Sequence, residues 1–245
     1  VYHYHGINHG GKVDRAEKIV SIIENLEGSP ISLSKLIVDK LNIIGIIPIK
    51  GSPTTFESKN LLVESIKYLK SCELISDVYV STDNEDTAMV AKNNGALAPF
   101  IRPIELSATN VSLPDVLKYT IEEIENLRNV DLTVIVEENY PFRPAGLLSK
   151  LIYNIIEGGY DTVCASVIEE RSIWLDTKDQ ISAIGDNKMK PRKIKPEKIH
   201  INLFGLGAVT YVDNIRNDRI LENKVGLSPV PKYPYSFQID EKDQQ

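Results

Sequence analysis

A loop with residues suited to phosphate binding follows the first strongly apolar stretch of the chain. Residues 46–60 read IIPIKGSPTTFESKN, which places Lys50, Gly51 and Lys59 behind a predicted strand. Glycine lets a backbone approach phosphate closely, and lysines offset the phosphate charge. The loop is neither a Walker A loop nor a Gly-x-Gly-x-x-Gly turn, because no Gly-Lys-Ser/Thr follows Gly51 at the required distance. On spacing alone, the signal for phosphate is weak.

Three further polar loops come directly after, or close behind, predicted strands. They cover residues 82–86, 102–112 and 137–144. In an open α/β sheet, ligands bind in a crevice beyond the carboxyl ends of the strands. Together with residues 50–60, these loops are therefore expected to carry the chemistry.

Apolar stretches of strand length precede these loops. The first, IIGIIPI (43–49), is apolar throughout, which is typical of a parallel strand buried on both faces. Further strands are predicted at DVYVST (77–82), LTVIVE (132–137), DTVCASV (161–167) and LFGLGAVTYV (203–212).

Helical patterns separate the strands. Ser112-Leu-Pro-Asp115 has the form of a capping box with proline in the first turn. NEDTAMVAKNNG is predicted to be a helix closed by Gly95, and another helix is predicted to begin at Pro144 and end at Gly158-Gly159. The apolar faces are formed by Leu62, Ile66 and Leu69; by Leu117, Ile121 and Ile124; and by Leu148, Leu151 and Ile155. Repeated βα units with short connections predict an α/β fold with a doubly wound, mostly parallel sheet.

The overall composition disfavours some partners. The chain of 245 residues carries 34 acidic and 28 basic side chains, a formal net charge of −6. This balance gives no general attraction to nucleic acid or to an anionic membrane, and no apolar run approaches the ~20 residues that span a bilayer. Cys72 and Cys164 lie in apolar patterns without metal-ligand spacing. Both are expected to fill the core of a protein of the reducing cytoplasm.

Residues 1–41 differ from the rest and are expected to be a leader or the tail of an upstream module. His3, His5 and His9 suggest a metal site, but no cysteine or acidic partner with ligand spacing accompanies them, and a mobile or interface-packed segment is the alternative. The lysine-rich stretch 187–200 is predicted to be a solvated connector, with contact to an anionic ligand as the alternative. The chain starts without Met and ends at IDEKDQQ, where a helix is predicted to begin, so it is expected to be part of a longer protein.

An ordered series of motifs links these loops to a known family. Along residues 43–245 the chain shows, in order, IIPIKG with a Lys-Asn pair behind it, DVYVSTDNED with AKNNGA, PFIRPIEL, PDVL, YPFRP, GLGAVTYV and SFQIDEKDQ. The order and separation of these motifs resemble the CMP-sialic acid synthetase (N-acylneuraminate cytidylyltransferase) family. The most specific parts are VSTDNED with NNGA, and PFIRPIEL. Residues 42–245 are therefore predicted to form one cytidylyltransferase-like domain.

The resemblance implies a Rossmann-like nucleotidyltransferase fold and a cytidylyltransferase activity. Members of the family transfer CMP from CTP to the anomeric hydroxyl of a nonulosonic acid, an acidic nine-carbon sugar, and release pyrophosphate with the help of Mg²⁺. The implied partners are therefore CTP, such a sugar and Mg²⁺, and the implied assembly is a homodimer. Nucleotidyl transfer depends on positioning and charge neutralisation rather than on a protein nucleophile.

The matching positions imply specific roles. Lys50 stands where the family has an arginine at the triphosphate, and Lys59-Asn60 match its Lys-Asn pair. Arg102 and Ser112 fall where the family recognises the cytosine-containing half of CTP. The implied site residues are Lys50, Lys59 and Asp240 for catalysis; Lys50, Gly51, Asn60, Arg102 and Ser112 for the nucleotide; Asn139 and Arg143 for the sugar; and Asp240 for the metal.

Other positions depart from the family pattern. In the phosphate loop Ser52, Pro53 and Thr54 replace a glycine, a serine and a lysine, so a cationic contact is absent and proline removes an N–H. Where the family has Gln-Pro-Thr-Ser-Pro-Leu-Arg, residues 137–143 read EENYPFR. The added carboxylates are unfavourable beside an anionic substrate unless they bind metal or turn away. The first aspartate of the metal pair is replaced by Gln238.

Two other functional interpretations stay open. A non-catalytic relative that keeps the fold as a nucleotide-binding or assembly module is favoured by the same departures. A nucleotide-sugar glycosyltransferase would need Asp-x-Asp, and Asp83-Asn-Glu-Asp86 has a different spacing. Some residues also have structural alternatives: Asp83, Asp86 and Asp240 as helix caps, Lys59-Asn60 as a helix start, and Arg102 as a surface loop residue.

Overall fold

The computed structural model describes residues 33–108, 110–184, 198–222 and 224–239. The predictions for His3, His5, His9, Asp240 and most of the lysine-rich stretch lie outside these residues. The strands are β1 (Ile43–Pro48), β2 (Thr55–Phe56), β3 (Lys59–Asn60), β4 (Asp77–Ser81), β5 (Leu132–Ile135), β6 (Thr162–Glu169), β7 (Ile173–Asp176), β8 (Ile181–Ile184), β9 (Ile199–Asn202), β10 (Ala208–Tyr211) and β11 (Val225–Pro229). The helices are α1 (Leu33–Val38), α2 (Leu61–Lys70), α3 (Glu85–Asn93), α4 (Leu113–Glu125), α5 (Leu147–Glu157) and α6 (Val212–Arg216), with 3₁₀ turns at Ile104–Ser107 and Phe204–Leu206.

A mainly parallel sheet forms the centre of the described residues. Its strands follow the order β11-β6-β10-β5-β1-β4, and β9 pairs with β6. Strands β1, β4, β5, β6 and β11 run in one direction, whereas β9 and β10 run in the other. The predicted α/β class with a mostly parallel sheet is confirmed. The stretch 203–212 is not one strand as predicted, because a 3₁₀ turn precedes β10 and α6 begins directly behind it.

Strand β1 is buried on both faces, as its unbroken apolar run predicts. Ile43 and Ile47 join the larger hydrophobic cluster, while Ile44 and Ile46 join the second cluster on the other face. The first cluster includes apolar residues of α2, α3 and α5, and the second includes those of α4 and α6. Helices on both faces of the sheet therefore confirm the doubly wound arrangement.

The helices predicted within the described residues are present, and some of their ends differ from the prediction. The helix predicted to begin at IDEKDQQ lies outside these residues. Helix α3 is capped by Asn84, whose side chain accepts a hydrogen bond from the Thr87 amide, so the capping roles considered for Asp83 and Asp86 are wrong. Helix α5 begins at Leu147 rather than at Pro144. The reason is Gly146, whose φ of 72° is left-handed and interrupts the helical backbone before that point.

Helix α1 packs against the same core. Its Ile37 and Val38 are buried in the larger cluster, and the Ser34 hydroxyl donates to Glu157 of α5. Residues 1–32 lie outside the described part of the chain, so the boundary at 41/42 stays a prediction. No described helix combines the length and apolarity needed to cross a membrane.

Candidate active site

A cleft of about 640 Å³ opens beyond the carboxyl ends of β1, β4 and β5. This is the position that the sheet topology predicts for ligands. Its polar lining residues come mainly from the loops behind β1 and β5: Lys50, Ser52, Thr54, Glu137, Glu138 and Asn139. Its apolar lining residues come mainly from the end of β1 and from residues 104–116: Pro48, Ile49, Leu106, Ala108, Val111, Leu113 and Val116. The cleft thus combines apolar walls, which suit a nucleobase, with polar loops.

The loop behind β1 is held by side chains from helix α3 and from the loops behind β4 and β5. The Gly51 amide donates to Asp83 Oδ1 at 2.8 Å, and the Gly51 carbonyl accepts from Thr87 Oγ1 at 2.7 Å. Gly51 has a φ of 63°, a left-handed conformation that glycine adopts without strain. At the other end, the amide and the hydroxyl of Thr54 both donate to Glu138 Oε1, at 3.0 and 2.9 Å. Sequence reasoning did not predict either carboxylate as an anchor of this loop.

Asp83 is held in its charged form. Burial acts to raise the pKa of its carboxyl, but hydrogen bonds from the Gly51 amide and the Ser107 hydroxyl, together with the charge of Arg102, lower the pKa below its ordinary value overall. A carboxylate that accepts such bonds is stabilised as the anion. Asp83 is therefore an anionic anchor for the loop.

Arg102 lies buried in the wall of the cleft, with 4% of its surface exposed. Its guanidinium donates to the carbonyl oxygens of Ile49 at 3.1 Å and Ser81 at 3.0 Å, and to Ser107 Oγ at 3.2 Å. Burial lowers the pKa of Arg102, and the nearby Asp83 carboxylate opposes this shift. Arg102 thus joins the ends of β1 and β4 to the 3₁₀ turn, and the alternative of a surface loop residue is wrong.

Two of the residues predicted to bind nucleotide act as helix caps. Ser112 Oγ accepts from the Asp115 amide at 3.3 Å and donates to its carboxylate at 2.6 Å, as the capping box predicts. Asn60 Oδ1 accepts from the Val63 amide at 3.1 Å at the start of α2. Lys59 is exposed in the short β2–β3 hairpin. The described lining of the cleft contains none of Ser112, Asn60 and Lys59.

Glu137, Glu138 and Asn139 follow β5 and line the cleft. Glu138 Oε2 and Asn139 Oδ1 are enclosed and have no hydrogen-bond partner within the described residues. Burial raises the pKa of both glutamates above the ordinary value, and Arg143 acts in the opposite direction. Enclosed oxygens without donors are costly unless a ligand satisfies them. This stretch therefore places two enclosed oxygens, without donors among the described residues, in the wall of the cleft.

Arg143, predicted to bind the sugar, is committed to the protein itself. Its guanidinium donates to the Glu137 carbonyl, to Ser65 Oγ at 2.9 Å and to the Leu206 carbonyl at 3.4 Å. It also lies 5.3 Å from the centre of the Tyr68 ring. Burial lowers the pKa of Arg143 to about 10. Arg143 is not among the described lining residues of the cleft, and its contacts fix the loop that carries the glutamates.

The last described residues reach the cleft. The Ile239 amide donates to the Asn139 carbonyl at 2.9 Å, and Ile239 lines the cleft. Asp240, predicted to bind metal, lies outside the described residues. Within the described ranges, no group of three or more His, Cys, Asp or Glu side chains is arranged to hold a metal ion.

Comparison with known proteins bears on the resemblance found in the motifs. No protein-family model matches the chain. The chain is 23% identical over 199 residues to the CMP-N,N'-diacetyllegionaminic acid synthase of Legionella pneumophila subsp. pneumophila, in an alignment that covers 75% of this chain and 82% of that protein. The predicted resemblance to CMP-sugar synthetases is confirmed. The chain is thus similar, at low sequence identity, to a CMP-sugar synthase.

Solved structures show the same fold. A 4-diphosphocytidyl-2C-methyl-D-erythritol synthase from Anaerococcus prevotii matches with a TM-score of 0.56 at 13% identity, covering 82% of this chain and 94% of that one. A CMP:2-keto-3-deoxy-manno-octonic acid synthetase complexed with CTP matches with a TM-score of 0.53 at 13% identity, covering 77% and 90%. The chain thus has the Rossmann-like nucleotidyltransferase fold that the motifs predicted.

Proposed function

We propose that this chain transfers CMP from CTP to an acidic nine-carbon sugar of the nonulosonic type and releases pyrophosphate. The observation that carries the proposal is the cleft beyond β1, β4 and β5, which joins apolar walls to loops that hold Lys50, Arg102 and unpartnered oxygens. The similarity to a CMP-N,N'-diacetyllegionaminic acid synthase supports the choice of nucleotide and of sugar class.

The cleft supplies the elements that nucleotidyl transfer requires. The apolar residues around Ile49 and Val116 suit the faces of a nucleobase, and Lys50 places a cation on the loop behind β1. In the reaction the anomeric hydroxyl oxygen gives its proton to solvent and forms a bond to the α-phosphorus. The bond between that phosphorus and the oxygen that bridges to the β-phosphate breaks, and pyrophosphate leaves. Positioning and charge neutralisation are the main contributions that a protein makes to such a step.

The oxygens behind β5 fit Mg²⁺, the cofactor expected for this reaction. Glu138 Oε2 and Asn139 Oδ1 are enclosed without partners, and Glu137 stands beside them in the cleft. Mg²⁺ prefers such hard oxygens and commonly takes only one or two protein carboxylates, with water and substrate phosphate completing its shell. We propose that Glu138 and Asn139 would hold the ion. When bound, it would offset the charge of the triphosphate.

We also propose that the protein is a cytoplasmic homodimer. The isolated β7–β8 hairpin exposes apolar side chains, with Trp174 at 61% and Ile181 at 65% of their surface. A two-stranded hairpin is marginally stable in water by itself, so contact with a second copy would both cover and support it. Cys72 and Cys164 are free and buried, which suits a reducing compartment. Light scattering would give the mass in solution, and Trp174→Asp should shift it towards a monomer.

Pyrophosphate release tests the proposed activity. The purified chain is mixed with CTP, Mg²⁺ and either N-acetylneuraminic acid or N,N'-diacetyllegionaminic acid, and the CMP-sugar is identified by mass spectrometry. Pyrophosphate should appear only when CTP, sugar and Mg²⁺ are all present. Lys50→Ala should raise the KM for CTP about tenfold because a phosphate contact is lost. Lys150→Ala, an exposed lysine on α5, is the matched control. Absence of both turnover and CTP binding would contradict the proposal.

A further inference from the structure

The loop of residues 51–54 is fixed at both ends by carboxylates from other parts of the chain. Asp83 accepts from the Gly51 amide, and Glu138 accepts from both donors of Thr54. Thr54 and Glu138 are 84 residues apart in the sequence. They meet because β1 and β5 are adjacent parallel strands, whose following loops emerge at the same edge of the sheet.

The fixed loop of residues 51–54 affects where the positive charge of Lys50 lies in the cleft. Lys50 and Arg102 are the cationic residues of the described lining, and Arg102 already donates to the Ile49 and Ser81 carbonyls. Lys50 is thus the cation of the described lining that is left to meet a ligand. Because Lys50 directly precedes the loop of residues 51–54, the conformation of that loop influences where Lys50 lies. In that loop Ser52 lines the cleft and Pro53 has no N–H. The far end is held by the bonds from Thr54 to Glu138 and by the Leu61 amide, which donates to the Thr54 carbonyl at 2.9 Å.

The two oxygens of Glu138 have different surroundings. Oε1 accepts the amide of Thr54 at 3.0 Å and its hydroxyl at 2.9 Å. Oε2 is enclosed and has no partner within the described residues. One carboxylate thus orders the loop with one oxygen, while its other oxygen is enclosed without a donor among the described residues. Bonds to a charged acceptor are stronger than bonds to a neutral one, so the negative charge of Glu138 strengthens this anchor.

We propose that Glu138 is a positioning residue for nucleotide binding, because it holds the loop of residues 51–54 in the shape that directs Lys50 and Ser52 along the cleft. The inference rests on the proposed function. A carboxylate repels a triphosphate electrostatically, and the positioning role gives a reason for its presence in the cleft. Thr54 stands where the resembled family has a lysine. It contributes to the site by donating its amide and hydroxyl to Glu138 and not by a positive charge.

Kinetics with matched variants test the role of Glu138. Glu138→Gln keeps the shape and one acceptor oxygen but removes the charge, and Thr54→Val removes the hydroxyl and keeps the amide. Thr54→Val is expected to raise the KM for CTP about tenfold, the factor that corresponds to one charged hydrogen bond, with a smaller change in kcat. Glu138→Gln should raise the KM for CTP by about the same factor, and it should also lower kcat because Glu138 is a proposed Mg²⁺ ligand. Thr54→Ser retains the amide and a hydroxyl, so its KM for CTP should equal that of the wild type. Glu122→Gln, an exposed glutamate on α4, is the control.

The double variant and amide exchange give readouts that a general structural defect would not reproduce. Because Glu138 and Thr54 act through the same bonds, the combined variant should raise the KM by less than the product of the two single effects. In the protein without nucleotide, Glu138→Gln should speed hydrogen exchange of the segment 50–56 about tenfold while β5 stays protected.

The two proposals can fail separately. If Glu138→Gln leaves both the KM for CTP and the exchange of segment 50–56 as in the wild type, the positioning role is overturned while the proposed activity stands. If the wild-type chain neither turns over nor binds CTP, the proposed function fails. In that case hydrogen exchange of the segment 50–56 still tests whether Glu138 anchors the loop. Wild-type exchange in Glu138→Gln would overturn the anchoring, and faster exchange would support the anchoring.

Discussion

Replacement of Arg102 by methionine should destabilise the protein through lost hydrogen bonds rather than through lost volume. Methionine fills a similar space but donates no hydrogen bond. The Ile49 carbonyl would lose its donor at 3.1 Å, and Ser107 Oγ its donor at 3.2 Å. The Ser81 carbonyl would keep the Ile49 amide at 3.0 Å. Asp83 would lose the nearby cation that helps to lower the pKa of its carboxyl.

The expected loss follows from these contacts. A buried acceptor that loses its partner costs about 1–3 kcal/mol, and a bond to a charged group contributes about 1.5–3 kcal/mol. Part of this is regained because the guanidinium no longer has to be buried, a cost that is visible in the lowered pKa of Arg102. The free energy of unfolding should therefore fall by roughly 2–4 kcal/mol.

Urea unfolding followed by circular dichroism would measure this loss. Arg102→Lys keeps a positive charge but cannot span Ile49, Ser81 and Ser107, so it should recover only part of the stability. Lys150→Met, on the exposed face of α5, controls for the loss of a surface charge. A change below about 0.5 kcal/mol in Arg102→Met, the range of ordinary surface substitutions, would refute the assignment of Arg102 as a buried organiser of the cleft.

Further predictions concern a cap and a buried carboxylate. Asn60→Ala should lower the free energy of unfolding by about 1 kcal/mol and leave the KM for CTP unchanged, since Asn60 caps α2; a raised KM at constant stability would instead indicate nucleotide contact. Burial raises the pKa of Glu137, so folding favours its protonated form, and stability should fall as pH rises above the ordinary value of 4.5. Glu137→Gln should flatten this fall in urea titrations across pH, and an identical slope would contradict the assignment.

The sequence predicts the elements well where periodicity is strong. Leu117, Ile121 and Ile124 predict α4, and all three are fully buried in the structure. The unbroken apolar run of β1 predicts burial on both faces, because the isoleucines of that strand pack alternately into the hydrophobic clusters on either side of the sheet. These patterns are local, and the hydrophobic effect alone fixes which side of an element faces the core.

Other features escape prediction because local patterns do not encode them. The β2–β3 hairpin turns through Glu57 and Ser58, whose φ values are positive although neither is the glycine or asparagine that signals such a turn. The antiparallel direction of β10 is also absent from the pattern, since apolar strands look alike in either direction. The interior contacts of Arg143 could not be foreseen, because its hydrogen-bond partners come from distant segments.

The apolar runs of the sequence predict most of the cleft. The predicted loops 50–60, 102–112 and 137–144 contribute lining residues, whereas the predicted loop 82–86 contributes none to the described lining. Strand ends can be read from apolar runs, and parallel strands bring their carboxyl ends to one edge.

The contacts that individual side chains make around the cleft depend on the assembled sheet. Thr54 and Glu138 meet because β1 and β5 are neighbours. Arg143 lies outside the described lining of the cleft and donates to the Leu206 carbonyl and to Ser65 Oγ. Such choices depend on distances between segments that are far apart in the chain, and these distances exist only after the sheet has assembled.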